Sequence, residues 1–434
     1  MKKSIVIIAA GLVAVASAEE RVGVATVTNV AASQDTRTDV LTVTYDLENT
    51  QNNESLFVTM DILTNGVSIG KNIFKSVSGD ISPDSSTLVT PGTGKRIVWE
   101  AAKDWPDQFT TNASVKISAY YADKLDQLPG IYMKIDLEGT TTCPIVYTMA
   151  GPAVDANKRV VNDDDKGRYL WMRRVEACPQ GFVMGADPHE ATPNYYYYGE
   201  RETKHTVKLM KPFFVGIFPV TRKQYRLIKG SDPTYVTSAD TAPVNQITYY
   251  TVRGQTAADG TTVNWPNNTD NMHIVGANSF LDILRGKTNL EFDLPTEAQW
   301  EYMCRAGTDT AWNNGVGTVG NVGYEEDDNL AKLGWYKSNV PASAAQPVGQ
   351  KLPNAWGIYD CHGNVWEWCL DWFASDITAM TVDPVGPTSG SNNVLRGGAH
   401  DSVSHNCRAA RRDTNSRTTQ GNTIGFRLVV PLER

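Results

Sequence analysis

The sequence predicts two unlike domains: an all-β sandwich of immunoglobulin type, then a larger α+β domain with little regular secondary structure. Three observations carry this. Short runs of alternating apolar and polar residues fill positions 21–135, convincing helical patterns further on are few and short, and eight of the eleven tryptophans fall between Trp265 and Trp372. The 434 residues, 41% apolar and 9% aromatic, hold enough material for two or three cores and exclude a disordered or collagen-like chain. A formal net charge of −8 leaves no broad basic field, so nucleic acid is not an expected partner. Six cysteines are too few for a disulfide scaffold or a zinc array.

The N-terminus reads as a cleavable leader. Lys2 and Lys3 precede the apolar run Ile5 to Ala16, and Ala16-Ser17-Ala18 supplies a small-x-small cleavage site. The run is too short for a membrane anchor, and the residue directly after the cleavage point is Glu19, not a cysteine. The expectation is a signal peptide at 1–18, no transmembrane segment in the mature chain, and a secreted or periplasmic location in which disulfides are permitted.

Residues 19–140 form the expected β-sandwich. Val40 to Tyr45, Leu56 to Met60 and Ala113 to Tyr120 alternate as half-buried strands, and Thr64-Asn65-Gly66 and Ser82-Pro83-Asp84 mark turns. Residues 141–168 read as a linker. Its Asp163-Asp164-Asp165 suits a solvated turn, with calcium ligation as the alternative. The run Tyr195 to Tyr198 is either a sticky surface loop or the cover of a core edge.

The domain at 169–434 holds helix candidates at Thr221 to Lys229 and Asn278 to Arg285. The clearest helix begins at Thr296-Glu297-Ala298-Gln299, a capping box, and runs to Arg305 with Gly307 near its stop. Gly-, Asn- and Pro-rich text separates these helices, so aromatic packing, with or without bound metal, must hold the loops.

An ordered series of motifs runs through this domain. Gly181-Phe182-Val183-Met184-Gly185 leads to Pro219-Val220-Thr221, then Leu294-Pro295-Thr296-Glu297-Ala298-Gln299-Trp300-Glu301-Tyr302 and Asn354-Ala355-Trp356-Gly357. Gly363-Asn364-Val365-Trp366-Glu367-Trp368, Leu395-Arg396-Gly397-Gly398 and Gly425-Phe426-Arg427-Leu428 complete it. From Arg173 to Val430 the chain resembles the formylglycine-generating enzyme, or sulfatase-modifying factor, family. The resemblance implies a C-type-lectin-like fold. The pairing with an exported β-sandwich resembles bacterial envelope proteins.

Enzymes of that family oxidise a sulfatase cysteine to formylglycine with copper(I) held by two nearby cysteines, a soft ion on soft thiolates. In the matching stretch, Arg396 to Cys407, one cysteine stands and Ala399 replaces a serine. Copper is therefore not an expected cofactor. His400, His405 and Cys407 remain candidate catalytic residues, as a His-x4-His-x-Cys set suited to Zn, Fe or Cu if they converge, and otherwise as polar loop residues. The resemblance also implies a structural calcium at Asp360, Gly363, Val365 and Glu367, two carboxylates with two main-chain oxygens; without metal, Glu367 would accept loop N–H groups. It implies a disulfide between Cys304 and Cys407, which would contribute ~2–4 kcal/mol. Cys143 and Cys178 flank the linker and form a second candidate pair, although six cysteines allow 15 pairings.

Three functions follow from these readings. The leading one is binding of a peptide, glycan or surface protein through Trp366, His400, Asp401, Ser404, His405, Asn406, Arg412 and Asn415, on polar loops carried by an aromatic frame. Ala399 to Thr423 also resembles the variable ligand-binding region of proteins diversified by retroelements, though an ordinary surface loop shares its composition. The alternatives are a metal-dependent oxidoreductase of the formylglycine-generating type, acting on exported sulfatases or another thiol, and an adhesive envelope component.

Overall fold

The computed structural model describes residues 25–432 except 36, 50–53, 65–66, 70–72, 107–112, 129, 188–189, 191–199, 235–238, 267–273, 317–325 and 342. The leader, the Asn65-Gly66 turn and the four tyrosines lie outside the described residues. The chain divides into two units, one built on residues up to 133 together with 146–151, the other on 134–145 with 152–434.

Alternation in the first unit becomes strands: β1 (Thr26–Asp35), β2 (Val40–Glu48), β3 (Phe57–Thr64), β4 (Val67–Ser68), β5 (Val77–Gly79), β6 (Gly92–Glu100) and β7 (Ala113–Tyr120), with a helical turn α1 (Ala101–Asp104). They form two sheets, ordered β1-β2-β6-β5 and β4-β3-β7. Side chains alternate across a strand, so each sheet commits one face inward. Leu41, Val43, Tyr45, Ile97 and Trp99 from the first sheet share a core with Val58, Met60, Ile62, Ile117 and Ala119 from the second. Asp104 secures the end of β6 by accepting from Trp99 Nε1 at 2.9 Å and from the Ser76 N–H at 2.6 Å.

Strands β8 (Tyr132–Asp136) and β9 (Ile145–Thr148) follow, and then helix α2 (Asp163–Gly167). The expected solvated turn at the acidic triplet is corrected here. Asn162 caps α2 by accepting from the Asp164 N–H at 2.9 Å, and Asp165 is buried, accepting from Trp171 Nε1 at 3.0 Å. Three acidic residues in a first turn suit the positive end of a helix.

The second unit continues with β10 (Tyr169–Val175), β11 (Cys178–Met184), β12 (His205–Leu209) and β13 (Phe213–Gly216). Its helices are α3 (Arg222–Lys229), α4 (Tyr249–Arg253), α5 (Phe280–Thr288), α6 (Glu297–Arg305) and α7 (Leu330–Leu333). Strands β14 (Trp366–Trp372), β15 (Asn393–Arg396), β16 (Arg412–Asn415), β17 (Ile424–Gly425) and β18 (Val429–Pro431) close it. β18, β13 and β10 lie side by side, β11 pairs with β12, and a four-stranded sheet runs β16-β15-β14-β17.

The expected helices at 221–229 and 296–305 form where their caps stand. Thr221 and Thr296 both make complete capping boxes, with Gln224 and Gln299. The third starts at Phe280 because Ser279 accepts from the Asp282 N–H. Helix α6 ends on Ala306 and Gly307, both at positive φ. Among the described residues no helix is long and apolar enough to cross a membrane.

Candidate functional site

Helix α6 builds the frame from its own periodicity. Glu297, Glu301 and Arg305 recur at intervals of four, which places them along one helical face. All three are buried. Arg412 on β16 grips Glu297 with two bonds of 2.6 and 2.8 Å, and Arg396 on β15 stands 3.4 Å from Glu297 and also binds Glu301. Glu301 then holds Arg305 at 2.8 Å and the Gly185 N–H at 2.8 Å. Burial by itself would raise the Glu301 carboxyl pKa, but Arg305 and Arg396 outweigh it and hold the group below its ordinary value. The ladder ties β15 and β16 to α6 and so positions the loop between these strands.

Gly397 and Gly398 begin that loop, both at positive φ. A Cβ on Gly398 would stand 2.6 Å from Cys407 Sγ, which explains the Arg-Gly-Gly spelling in steric terms. Beyond it the His400 N–H donates to Asn364 O at 2.9 Å, and the Trp366 N–H donates to Thr423 O at 2.7 Å. His400 Nε2 lies 3.3 Å from Asn422 O and acts as the donor there, and among the described residues the enclosed Nδ1 has no hydrogen-bond partner. The sequence-derived residues His400 and Trp366 thus meet, through Asn364, Asn422 and Thr423, which sequence reasoning missed. Gln246, also missed, donates its N–H to Gly421 O at 2.9 Å.

Ser404, His405 and Asn406 sit on a 3-10 turn, Ser404–Cys407, with Asp401 exposed just before it. Ser404 and His405 are buried. Of the other expected ligand-binding residues, Arg412 belongs instead to the frame and Asn415 stays half-exposed at the end of β16. Arg412 is consumed by Glu297, Arg201 O and Ala374 O, and Asn415 pairs with Asn393 across β15 while accepting from the Ser416 N–H. Nor do His400, His405 and Cys407 gather into a metal cluster, since among the described residues no group of three His, Cys, Asp or Glu could hold one.

The cysteines are also placed otherwise than expected. Cys304 and Cys407 are free, as are Cys143 and Cys178, so neither expected bridge is formed. The His362 imidazole lies between the first two segments. Its Nδ1 donates to Cys407 O at 2.7 Å, its Nε2 accepts from the Asn313 N–H at 3.2 Å, and Cys304 Sγ stands 4.0 Å from Nε2. Burial lowers the His362 pKa to about 4, so this ring is neutral, and Trp312 packs edge-on against it. Burial pushes the Cys407 thiol far up, away from thiolate. Cys143 instead donates its N–H to Lys287 O, and Cys178 interacts with Tyr302.

Of the four expected calcium ligands, the two carboxylates differ. Asp360 is buried at φ +54°, accepts only from uncharged groups, the Gly349 N–H at 2.8 Å and the Asn364 amide at 3.4 Å, and burial raises its pKa to about 6. A buried carboxylate so placed fits a cation. Glu367 does not fit one equally. It accepts from Arg427 at 2.9 and 3.1 Å and from Trp300 Nε1 at 2.7 Å, side-chain donors where loop N–H groups had been the expected alternative.

A family model described as the sulfatase-modifying factor enzyme 1-like domain matches residues 177–432. The chain is 36% identical over 154 residues to the formylglycine-generating enzyme of Streptomyces coelicolor, covering 31% of this chain and 45% of that one. Its identity to the Mus musculus formylglycine-generating enzyme is 35% over 144 residues, covering 31% and 38%. It is also 33% identical over 138 residues to the serine/threonine-protein kinase pkn1 of Chlamydia pneumoniae, covering 31% and 20%. The chain thus spans less than half the length of each of these relatives. Among solved structures, Treponema denticola variable protein 1 aligns at 26% identity and TM-score 0.45, covering 61% of this chain and 96% of that one. PvdO from Pseudomonas aeruginosa aligns at 21% identity and TM-score 0.46, covering 61% and 95%.

Proposed function

The chain belongs to the sulfatase-modifying factor enzyme 1-like family through its residues 177–432, and from that premise we propose that it is an exported binding protein rather than a copper oxidase. The observation that carries this reading is Cys407. It is the only cysteine after Cys369, it lies fully buried beneath Gly398, and burial drives its thiol away from the thiolate form. Linear copper(I) coordination takes two thiolates, and the matching stretch offers one cysteine, so the pair is incomplete.

Binding is the chemistry the remaining surface supports. His400 and Trp366 are buried and bonded to Asn422 and Thr423, and Asn422 and Asp401 are exposed beside them. A frame held by buried ion pairs, carrying a polar loop, suits recognition of a peptide, glycan or surface protein. In this reading the first unit is an immunoglobulin-type spacer, supported by its two sheets sharing one core. The leader at 1–18 would direct the protein to the periplasm or outside the cell. A calcium ion would be held by Asp360 with the main-chain oxygens of Gly363 and Val365, stiffening the loop beneath Trp366.

The test is a mass assay. Protein loaded with copper(I) is incubated with a Cys-x-Pro-x-Arg peptide, and bound copper is counted. The expected result is an unchanged peptide mass and no stoichiometric copper. Conversion of the cysteine would overturn the reading in favour of an oxidase.

A further inference from the structure

Nine arginines are buried among the described residues: Arg174, Arg253, Arg305, Arg396, Arg408, Arg411, Arg412, Arg417 and Arg427. Eight of them face a carboxylate within ion-pair distance. Arg417 is the exception. It is 5% exposed, and its hydrogen bond at 2.7 Å runs from Nε to the neutral Asn393 amide oxygen. Its guanidinium carbon lies 3.4 Å above the Trp372 ring centre and 4.6 Å from that of Tyr249. The neutral Tyr250 hydroxyl also hydrogen-bonds to it, and the neighbouring cation, Arg253, is already neutralised by Asp293. A charge withdrawn from water without a counter-charge is costly, and ring faces offset only part of that cost.

Among the described residues, two donors at this point have nothing to donate to. Arg417 Nη2 and Trp372 Nε1 are both enclosed and without a hydrogen-bond partner. They belong to side chains stacked on one another. Asp371, the preceding residue, does not serve, because its Oδ2 accepts from the Glu297 N–H at 2.9 Å and successive strand residues point to opposite faces. Arg417 reaches the site because β16 pairs with β15, Asn415 opposite Asn393, and the chain then turns at Ser416 with the Thr419 N–H bonded to Ser416 O.

We propose that Arg417 and Trp372 form a carboxylate-binding subsite at the end of β14 opposite to Trp366. Burial also lowers the Arg417 pKa, consistent with a guanidinium short of negative charge. The two ends of β14 are about 20 Å apart at 3.3 Å per residue, so this subsite is separate from the His400 patch. Its donors are enclosed, so it takes one planar carboxylate, free or carried on a peptide, rather than an extended polyanion. The guanidinium fork suits a planar two-oxygen group. The subsite rests on the reading of the C-terminal loop as a binding surface and names the ligand chemistry.

The test is thermal unfolding of the full chain in acetate, acetamide or sodium chloride at equal ionic strength, with triglycine and its C-terminal amide as further arms. Acetate is expected to give a saturable rise of about 2–4 °C that acetamide and chloride do not give. Arg417→Gln is expected to abolish the response, and Trp372→Phe, which keeps the ring, to shift its midpoint several-fold upward in acetate. A response to acetate alone assigns the subsite to free small carboxylates. A response that extends to triglycine but not to its amide assigns it to peptide-borne ones. Equal effects of acetate, acetamide and chloride, or an undiminished acetate response in both variants, overturn the subsite. Such a failure leaves the binding-protein reading standing, since the copper and peptide-mass assay tests that separately.

Discussion

Arg427 grips Glu367 with two parallel bonds, Nη2 to Oε1 at 2.9 Å and Nε to Oε2 at 3.1 Å, and neither side chain is exposed to solvent. The same guanidinium donates to Gly216 O at 2.8 Å and Tyr359 O at 2.8 Å. One residue of β14 is thereby joined to the segment between β17 and β18, to the end of β13 and to the loop that carries Tyr359.

Breaking that pair leaves a buried charge alone. Glu367→Gln and Arg427→Met are each expected to cost about 3–5 kcal/mol in urea unfolding. The double variant is expected to cost less than the sum, because no unpaired charge remains. Additive losses would show that the pair acts as two independent groups.

Asp371 makes stability pH-dependent. Burial first, and then the neighbouring Glu297, raises its pKa to about 8. From the ordinary aspartate value of 3.8 up to about 8 the folded chain therefore holds a proton that the unfolded chain releases. Asp371 stabilises the fold fully below that window, and its contribution is lost as pH rises through the folded pKa, at no more than about 1.4 kcal/mol per pH unit. Asp371→Asn keeps an acceptor for the Glu297 N–H and removes the titration. In urea unfolding between pH 5 and 9, its stability relative to the parent should climb with pH and level off above about 8. A flat difference would contradict a raised Asp371.

Calcium addition to metal-free protein is expected to raise the unfolding temperature, and Asp360→Asn to remove the effect, because its carboxylate, unlike that of Glu367, is not hydrogen-bonded to an arginine and feels Arg427 only at longer range. Isothermal titration checks the stoichiometry. Unchanged calcium affinity in Asp360→Asn would falsify the assignment.

Gly398→Ala forces a Cβ to within 2.6 Å of Cys407 Sγ and 3.0 Å of Asn406 O, at φ +77°. The strain is expected to cost about 1–3 kcal/mol. It should also disturb the Ser404–Cys407 turn, seen as faster amide exchange there than in Gly286→Ala, a site with no neighbour within 4 Å.

Local features were legible in the sequence. The capping box at Thr296 joins residues three apart, so spacing alone reveals it, and the helix candidate at Thr221 starts on a box of the same kind. Alternation likewise marked the strands at 40–48 and 113–120. Site residues were harder, and Arg412 shows why. Its loop composition suggested ligand contact, but its partner Glu297 lies 115 residues earlier. Arg417, in the same polar segment, passed unnoticed because nothing local distinguishes an arginine that lacks a carboxylate from one that has it.

The sequence by itself determined the family, the order of strands and helices wherever a cap or an alternation is local, and the presence of a single cysteine after Cys369. Tertiary structure alone decided which buried charges are matched. Glu367 is committed to Arg427 across 60 residues, Asp360 accepts hydrogen bonds from neutral donors with Arg427 at longer range, and Arg417 has an aromatic floor and no ion-paired carboxylate among the described residues. The physical reason is range. Capping and alternation depend on bonds between near neighbours in the chain, whereas the cost of a buried charge depends on whatever folding brings beside it.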